Sequence, residues 1–342
     1  MRFSRLLRLG MTAALVLLPW FSSASAASLN DVIAAARKEV TLDFYGPSTL
    51  KPAGAQVLAQ AFNKKYGLNI DVRFLPSGSM TRDVGKVATL AATGSPPEWD
   101  VMVATDAHHA SLWLRRLQKP FDYKALGVDE KLIDHDSSAI SFAHQFIVPA
   151  YNSSIVAPQD RPKSWEDLLN PRWKGRLGVS TATHHLGRLA VGPWGEEKTT
   201  AFVKALAQQS PVVGELGPTY TRLQLGEIHV ALSLTDSYIH IAKETGAPVA
   251  EADVPLVVAP SYHVGVIKGA THPHTAHLFA VFMTDPEAQR IWQKTVGVSS
   301  ALISGTAYFQ KAQGKQMIYL TKDQAQKVDQ LSKKYGSMLG LR

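Results

Sequence analysis

The chain of 342 residues contains no cysteine. Disulfides, thiolate metal sites and cysteine nucleophiles are thereby excluded, and an exported protein without disulfides depends on its core for stability. Beyond the N-terminal segment no apolar run reaches the length of about 20 residues that crosses a bilayer. The motifs of several enzyme classes are also missing: there is no Gly-x-Ser-x-Gly elbow, and no Gly-x-x-x-x-Gly-Lys loop, Gly-x-Gly-x-x-Gly run or His-Glu-x-x-His. No basic cluster with interleaved aromatics argues for nucleic acid.

The N-terminus is what an export signal requires. Arg2, Arg5 and Arg8 form a basic start, Leu9 to Phe21 an apolar stretch too short to span, and Ala24-Ser25-Ala26 a small-x-small cleavage pattern. No cysteine follows for lipid attachment, so residues 1–26 are expected to be removed and the rest to be a soluble periplasmic protein without a membrane span. The formal net charge of +8 falls to +5 once those three arginines are set aside. That mild excess is compatible with anionic ligands.

From Val40 the chain repeats strand, polar loop and helix. Strand-type runs at Val40 to Phe44, Leu68 to Leu75 and Asp100 to Ala104 are followed by helix-type segments at Ala53 to Tyr66, Met80 to Ala92 and Ala107 to Leu117. Such repetition implies an α/β fold with a mostly parallel sheet and crossover helices. Phe146 to Ala150 reads as a further strand, as do Leu177 to Val179, Val230 to Leu234, Val254 to Val258 and Tyr262 to Ile267. Thr284 with Glu287 reads as a capping box opening a late helix.

The most informative stretch runs from Pro162 to Gly187. Ser164 and Asp167 make the start of a short helix, and Asn170-Pro171 ends it. The strand at Leu177 then delivers Ser180, Thr181, Thr183 and His184-His185 to the start of a new helix. The segment Pro-Lys-Ser-Trp-Glu-Asp-Leu-Leu-Asn-Pro-Arg-Trp-Lys-Gly-Arg resembles the signature of periplasmic solute-binding proteins of ABC importers. The resemblance is to the branch that includes binders of ferric iron, phosphonates, sugar phosphates, thiamine and polyamines. Ala61 to Gly67, Gly226-Glu227, Lys243 to Val249 and Lys268 to Pro273 agree with it in the same order. The resemblance implies two lobes, each a mostly parallel sheet flanked by helices, joined by a hinge. It divides the chain into a first lobe at 27–148, a second at 149–258, a return to the first at 259–305 and a C-terminal helix region of the second at 306–342. It implies a small-molecule ligand, the permease and ATPase subunits of an importer as partners, a monomer, no cofactor and no enzymatic activity.

In open α/β sheets ligands bind beyond the carboxyl ends of the strands. Five loops belong there. They offer Ser48 and Thr49; Ser77, Gly78 and Ser79; Thr105, Asp106 and His108; Ser180, Thr181, Thr183 and His184; and Asp236, Ser237 and Tyr238. Any one hydroxyl before a helix is as well explained as an N-cap; the repetition over five strand ends favours a site. Adjacent residues on a helix point about 100° apart, so at most one of His108-His109 and one of His184-His185 faces a given ligand. Asp106 and Asp236 would serve acid–base chemistry only if the fold sets them side by side.

Ferric binders of this branch commonly carry two adjacent tyrosines near the position of Asp236-Ser237-Tyr238, where this chain has one. Ser77-Gly78-Ser79 also stands where an acidic ligand is often found. Both departures favour an oxyanion held by hydroxyls and helix N-termini, a phosphate, phosphonate or sugar phosphate. His108, His184 or Arg188 would add charge-assisted bonds, unless Arg188 is a surface charge. The alternative is ferric iron or a ferric chelate on His108, His184 and Tyr238. An exported hydrolase or lyase is the reading from a different class.

Overall fold

The structure, a computed structural model, describes residues 28–341. The expected export signal lies outside them. Ser28 and Asp31 close a capping box on α1 (Leu29–Ala36). Then follow β1 (Thr41–Pro47), α2 (Lys51–Tyr66), β2 (Asp71–Ser77), α3 (Met80–Ala92), β3 (Val101–Thr105) and α4 (Asp106–Leu114). The irregular polar segment that comes next ends in a hairpin of β4 (Ile133–Asp134) and β5 (Ala139–His144).

The chain then crosses to a second sheet. It forms β6 (Ile147–Asn152), β7 (Leu177–Ser180), α5 (His184–Val191), α6 (Gly195–Gln208), β8 (Val212–Gly214), α7 (Leu216–Leu225), β9 (Val230–Thr235), α8 (Asp236–Thr245), β10 (Val249–Glu251) and β11 (Leu256–Val258). It returns with β12 (Ser261–Val266), α9 (Pro273–Phe282) and α10 (Pro286–Val296). It finishes on the second side with α11 (Ala307–Lys311), β13 (Gln316–Ile318) and α12 (Ala325–Met338).

The first sheet has the order β2-β1-β3-β12-β5-β4, and the second β13-β11-β6-β9-β7-β8 with β10 also on β6. The architecture is therefore two-lobed α/β. The expected parallel pairs are present at β1 with β2 and β3, and at β7 with β8 and β9. The crossing strands run the other way: β12 is antiparallel to β3 and β5, and β6 to β9, so each sheet is mixed. The segment at Val254 to Val258 does not itself return to the first sheet; β11 pairs with β6 and β13, and β12 makes the return.

Three crossings lie side by side. The Gln145 amide donates to the Pro260 carbonyl at 2.8 Å and the His144 amide to the Ser299 carbonyl at 3.0 Å. The Ala301 amide donates to His144 Nδ1 at 3.0 Å. A bundle of short, mutually bonded crossings of this kind makes a hinge.

The Pro162–Gly187 stretch anchors the second lobe. Trp165 is 1% exposed and its indole N–H donates to the Leu256 carbonyl at 2.9 Å. Trp173 donates to the Asp167 carbonyl at 3.0 Å. The amides of Ser164 and Asp167 each find the other's side chain, as the capping-box reading expects, although the turn they open is 3-10 rather than α. Thr284 is not the cap of α10: Asp285 accepts from the Glu287 amide at 2.9 Å with Pro286 behind it, and Thr284 bonds back to Val281.

Candidate functional site

Asp106 opens α4 at the end of β3, and Arg188 lies on α5, one helical turn after His184. They meet across the two lobes. Arg188 donates from Nη1 to Oδ2 at 2.9 Å and from Nη2 to Oδ1 at 2.6 Å. The amides of Ala107 and Ser261 add bonds of 2.7 and 3.3 Å to the same carboxylate. Asp106 is 2% exposed and Arg188 1%, so Arg188 is not a surface charge. Burial alone would push the Asp106 carboxyl up; the charge and hydrogen bonds of Arg188 outweigh it and hold the group below the usual carboxylate range.

Above this pair a cavity of about 530 Å³ lies between α3 and α4 of one lobe and α5 and α12 of the other. Thr81, Thr105, His108, Arg115, His184 and Ser332 contribute to its lining. The two hydroxyls flank the His108 ring, Thr105 at 2.7 Å from Nδ1 and Thr81 at 3.2 Å from Nε2. His184 packs against His185 with ring centroids 4.3 Å apart. Burial, with the Arg188 charge second, pushes His184 down to about 4, and burial likewise lowers His108. Both imidazoles are thus neutral at pH 7; both ring nitrogens of His108 are taken up by the two hydroxyls.

The adjacency reasoning holds for both pairs. His108 and His184 face the cavity, whereas His109 and His185 are buried in their own lobes, at 0% and 3% exposure. His185 lies 3.3 Å from Ser233, and Ser233 is 3.5 Å from Ser180.

The five expected loops do not converge on one cavity. Thr49 and Ser237 line a second, of about 290 Å³, beside His240, Glu244 and Lys294. The Ser237 hydroxyl there is buried without a partner. Ser48 is exposed. Ser77 and the Ser79 amide turn towards Asp83, which also holds Tyr45 at 2.9 Å. Gly78 passes so close to Arg82 that a Cβ would sit 2.9 Å from its Nη2. Thr181 is exposed, Ser180 is buried, and Thr183 is bonded to the Ser332 carbonyl at 2.9 Å.

Asp236 accepts from Tyr308 and from the Phe146 amide at 3.1 Å, with Lys311 at 3.7 Å. Burial pushes its carboxyl up to about 6 against the pull of Lys311. Asp106, held by Arg188, and Asp236, held by Tyr308 and the Phe146 amide, therefore belong to separate networks and do not make an acid–base pair. Tyr238 is not in the cavity of His108 and His184. It stacks on Tyr220 at 5.1 Å in the second lobe, and burial with the nearby Glu215 charge raises its phenol.

The N-cap explanation accounts for Ser79, which accepts from the Arg82 amide at 3.5 Å. It does not account for Thr105 or Thr183, which stand at cap positions of α4 and α5 without a capping bond. Thr81, Arg115, Ser332 and Tyr220 were invisible to sequence reasoning because they come from helices far apart in the chain. The burial of Arg188 had a signal: four residues after His184, it shares that residue's helix face.

Residues 42–295 match the family described as bacterial extracellular solute-binding protein, and the chain belongs to that family. It is a solute-binding protein by membership. An uncharacterized protein of Haemophilus influenzae is 25% identical over 281 residues, covering 74% of this chain and 77% of that one. Among solved structures, iron-bound HitA from Pseudomonas aeruginosa superposes with a TM-score of 0.70 at 20% identity, covering 87% of this chain and 99% of HitA. Ferric binding protein from Campylobacter jejuni gives 0.69 at 17%, covering 88% and 100%. An ABC transporter substrate-binding protein from Bradyrhizobium japonicum gives 0.71 at 16%, covering 88% and 99%. At these identities the likeness is one of fold.

Proposed function

We propose that this protein is the extracytoplasmic capture component of an ABC importer and that its cargo is a small oxyanion held between the lobes. The two lobes, divided at the three crossings, close around the ligand, and the permease and ATPase of the importer receive it. Periplasmic location and the monomeric state are part of the same proposal.

The observation that carries the ligand class is the lining of the inter-lobe cavity. Hydroxyls, neutral imidazoles and the Arg115 guanidinium line it together with the exposed Asp329, whose carboxylate Lys333 engages at 2.7 Å, while the Asp106 carboxylate is fully engaged by Arg188. An oxyanion is satisfied by such donors. A bare ferric ion would want anionic oxygen ligands, and Tyr238 is turned to Tyr220 instead.

A second reading keeps one observation in its favour. Tyr220 and Tyr238 set two phenols side by side at the start of α8, and HitA, of the same fold, was solved with iron. Ferric iron or a ferric chelate on those phenols would have to overcome the raised pKa of Tyr238. Isothermal titration of the mature chain with phosphate and with simple phosphonates tests the first reading. Arg115→Gln and His184→Gln should each weaken anion binding about tenfold, the loss of one charge-assisted bond of 1.5–3 kcal/mol or less. Unchanged binding in both would place the anion elsewhere.

A further inference from the structure

The proposed cargo cavity leaves unused a cluster of titratable groups at the far edge of the first sheet. We propose that Asp134, His135 and His263 form a binding site for a divalent transition metal of the zinc class, separate from the cavity between the lobes.

The donor atoms already converge. Asp134 Oδ2 lies 3.2 Å from His263 Nε2 and 3.8 Å from His135 Nδ1. One ligand atom from each of the three lies within 4.8 Å of the other two. Ligand atoms on a tetrahedral zinc ion with bonds of 2.0–2.1 Å are spaced roughly 3.3 Å apart. A metal would therefore enter with small side-chain adjustments.

Sequence neighbours on a strand point to opposite faces, so Asp134 and His135 should not share a ligand. The backbone removes that obstacle. His135 has φ 53°, a left-handed conformation that a residue with a side chain seldom adopts. The turn from β4 to β5 folds the imidazole back beside the Asp134 carboxylate.

The independent sign of a missing ligand is His135 Nδ1. The residue is 2% exposed, and this nitrogen is buried without a hydrogen-bond partner. Buried polar atoms almost always find one. On the other side of the site, His263 Nδ1 lies 3.2 Å from the Ser261 hydroxyl. Metal-bound histidines have an outer hydrogen bond of this kind, which fixes the ring and aims the second nitrogen inward. The Asp134 side chain is 31% exposed and gives the ion a way in.

A second group of similar composition, Asp43, Asp100 and His272, shows what a self-sufficient cluster looks like. Asp100 accepts from the Asp43 amide at 2.9 Å, the His272 amide at 2.9 Å and His272 Nδ1 at 2.8 Å, and Arg73 neutralises Asp43 at 2.7 Å. Nothing there is left for a cation. Two imidazoles and one carboxylate suit zinc and its first-row neighbours, with a fourth position left to water.

The test uses the full mature chain, stripped with a chelator and checked for folding by circular dichroism. Zinc affinity is measured by competition with a chromophoric chelator, and coordination by the visible absorption of bound cobalt. His263 is buried in a central strand and its replacement endangers folding, so the variants are Asp134→Asn and His135→Gln at the turn. One equivalent of zinc is expected to bind, weakened more than about tenfold in either variant, with the tetrahedral cobalt spectrum lost. The cavity variant His108→Gln/His184→Gln should bind zinc as the parent does. Absence of stoichiometric zinc, its retention in both turn variants, or its loss in the cavity variant instead would each overturn the proposal.

Discussion

Arg188 and Asp106 join the two lobes through a bidentate pair that is almost fully removed from water, at 1% and 2% exposure. Opening the lobes would separate two charges that burial has already desolvated. Removing one partner of such a pair costs about 3–5 kcal/mol, whereas replacing both with apolar groups of similar volume is often nearly neutral. Arg188→Met alone should therefore destabilise strongly in urea unfolding, and Arg188→Met/Asp106→Leu should recover most of the loss. In small-angle scattering, Arg188→Met should show a larger radius of gyration than the parent in the absence of ligand.

Acid should weaken the fold through its buried histidines. Burial pushes His144 down to about 3, with the His263 charge adding to the effect, and pushes His184 to about 4 and His277 to about 3. Each folded pKa lies below the unfolded value near 6.5, so the unfolded chain binds more protons between them. Stability from these groups is complete above pH 6.5 and is lost as pH falls towards 4, at about 1.4 kcal/mol per unit per histidine. Asp236, raised to about 6, acts in the opposite sense over part of that window. The several histidines outweigh it. His144→Gln should flatten the pH dependence of the urea midpoint between pH 6.5 and 4 by about one proton.

Gly187 marks where α12 docks on α5. A Cβ there would meet the Val328 carbonyl oxygen at 2.9 Å, and backbone cannot retreat as a side-chain tip can. Alanine would gain about 1 kcal/mol of helix propensity. Overpacking costs about 1–3 kcal/mol, so Gly187→Ala should lower the melting temperature. An unchanged or raised value would show that α12 shifts freely.

Tyr238 separates the two ligand readings. Its ring is stacked on Tyr220 away from the His108 cavity. Tyr238→Phe should leave anion affinity within about twofold, since no bond to the anion is lost. If instead ferric citrate binds and Tyr238→Phe abolishes its visible absorption, the phenols are the ligands.

The repeat of strand, polar loop and helix made the α/β class legible, because each loop ended in residues that punctuate structure, whereas the division into two lobes was what the family resemblance implied. β5 was missed for a physical reason: Ala139 to His144 is buried on both faces and has no alternation to read. β8, β10 and β13 are three residues each and owe their existence to their neighbours. The cap at Asp285 was one residue from Thr284, since both types can cap. The site was only half visible. Sequence located Thr105, His108 and His184 at strand ends, but the shared cavity depends on lobe-to-lobe placement and on Arg188, which only the fold brings to Asp106.

The most direct measurement is the thermal shift of the metal-stripped mature chain with phosphate, phosphonates and sugar phosphates on one side and ferric iron with and without citrate on the other. A ligand at a hundred times its dissociation constant stabilises by about 2.7 kcal/mol. The oxyanion account predicts a shift with at least one phosphorus oxyanion, diminished in His184→Gln and Arg115→Gln and unchanged in Tyr238→Phe. A shift with ferric iron alone, lost in Tyr238→Phe, would contradict it and make the protein a metal carrier.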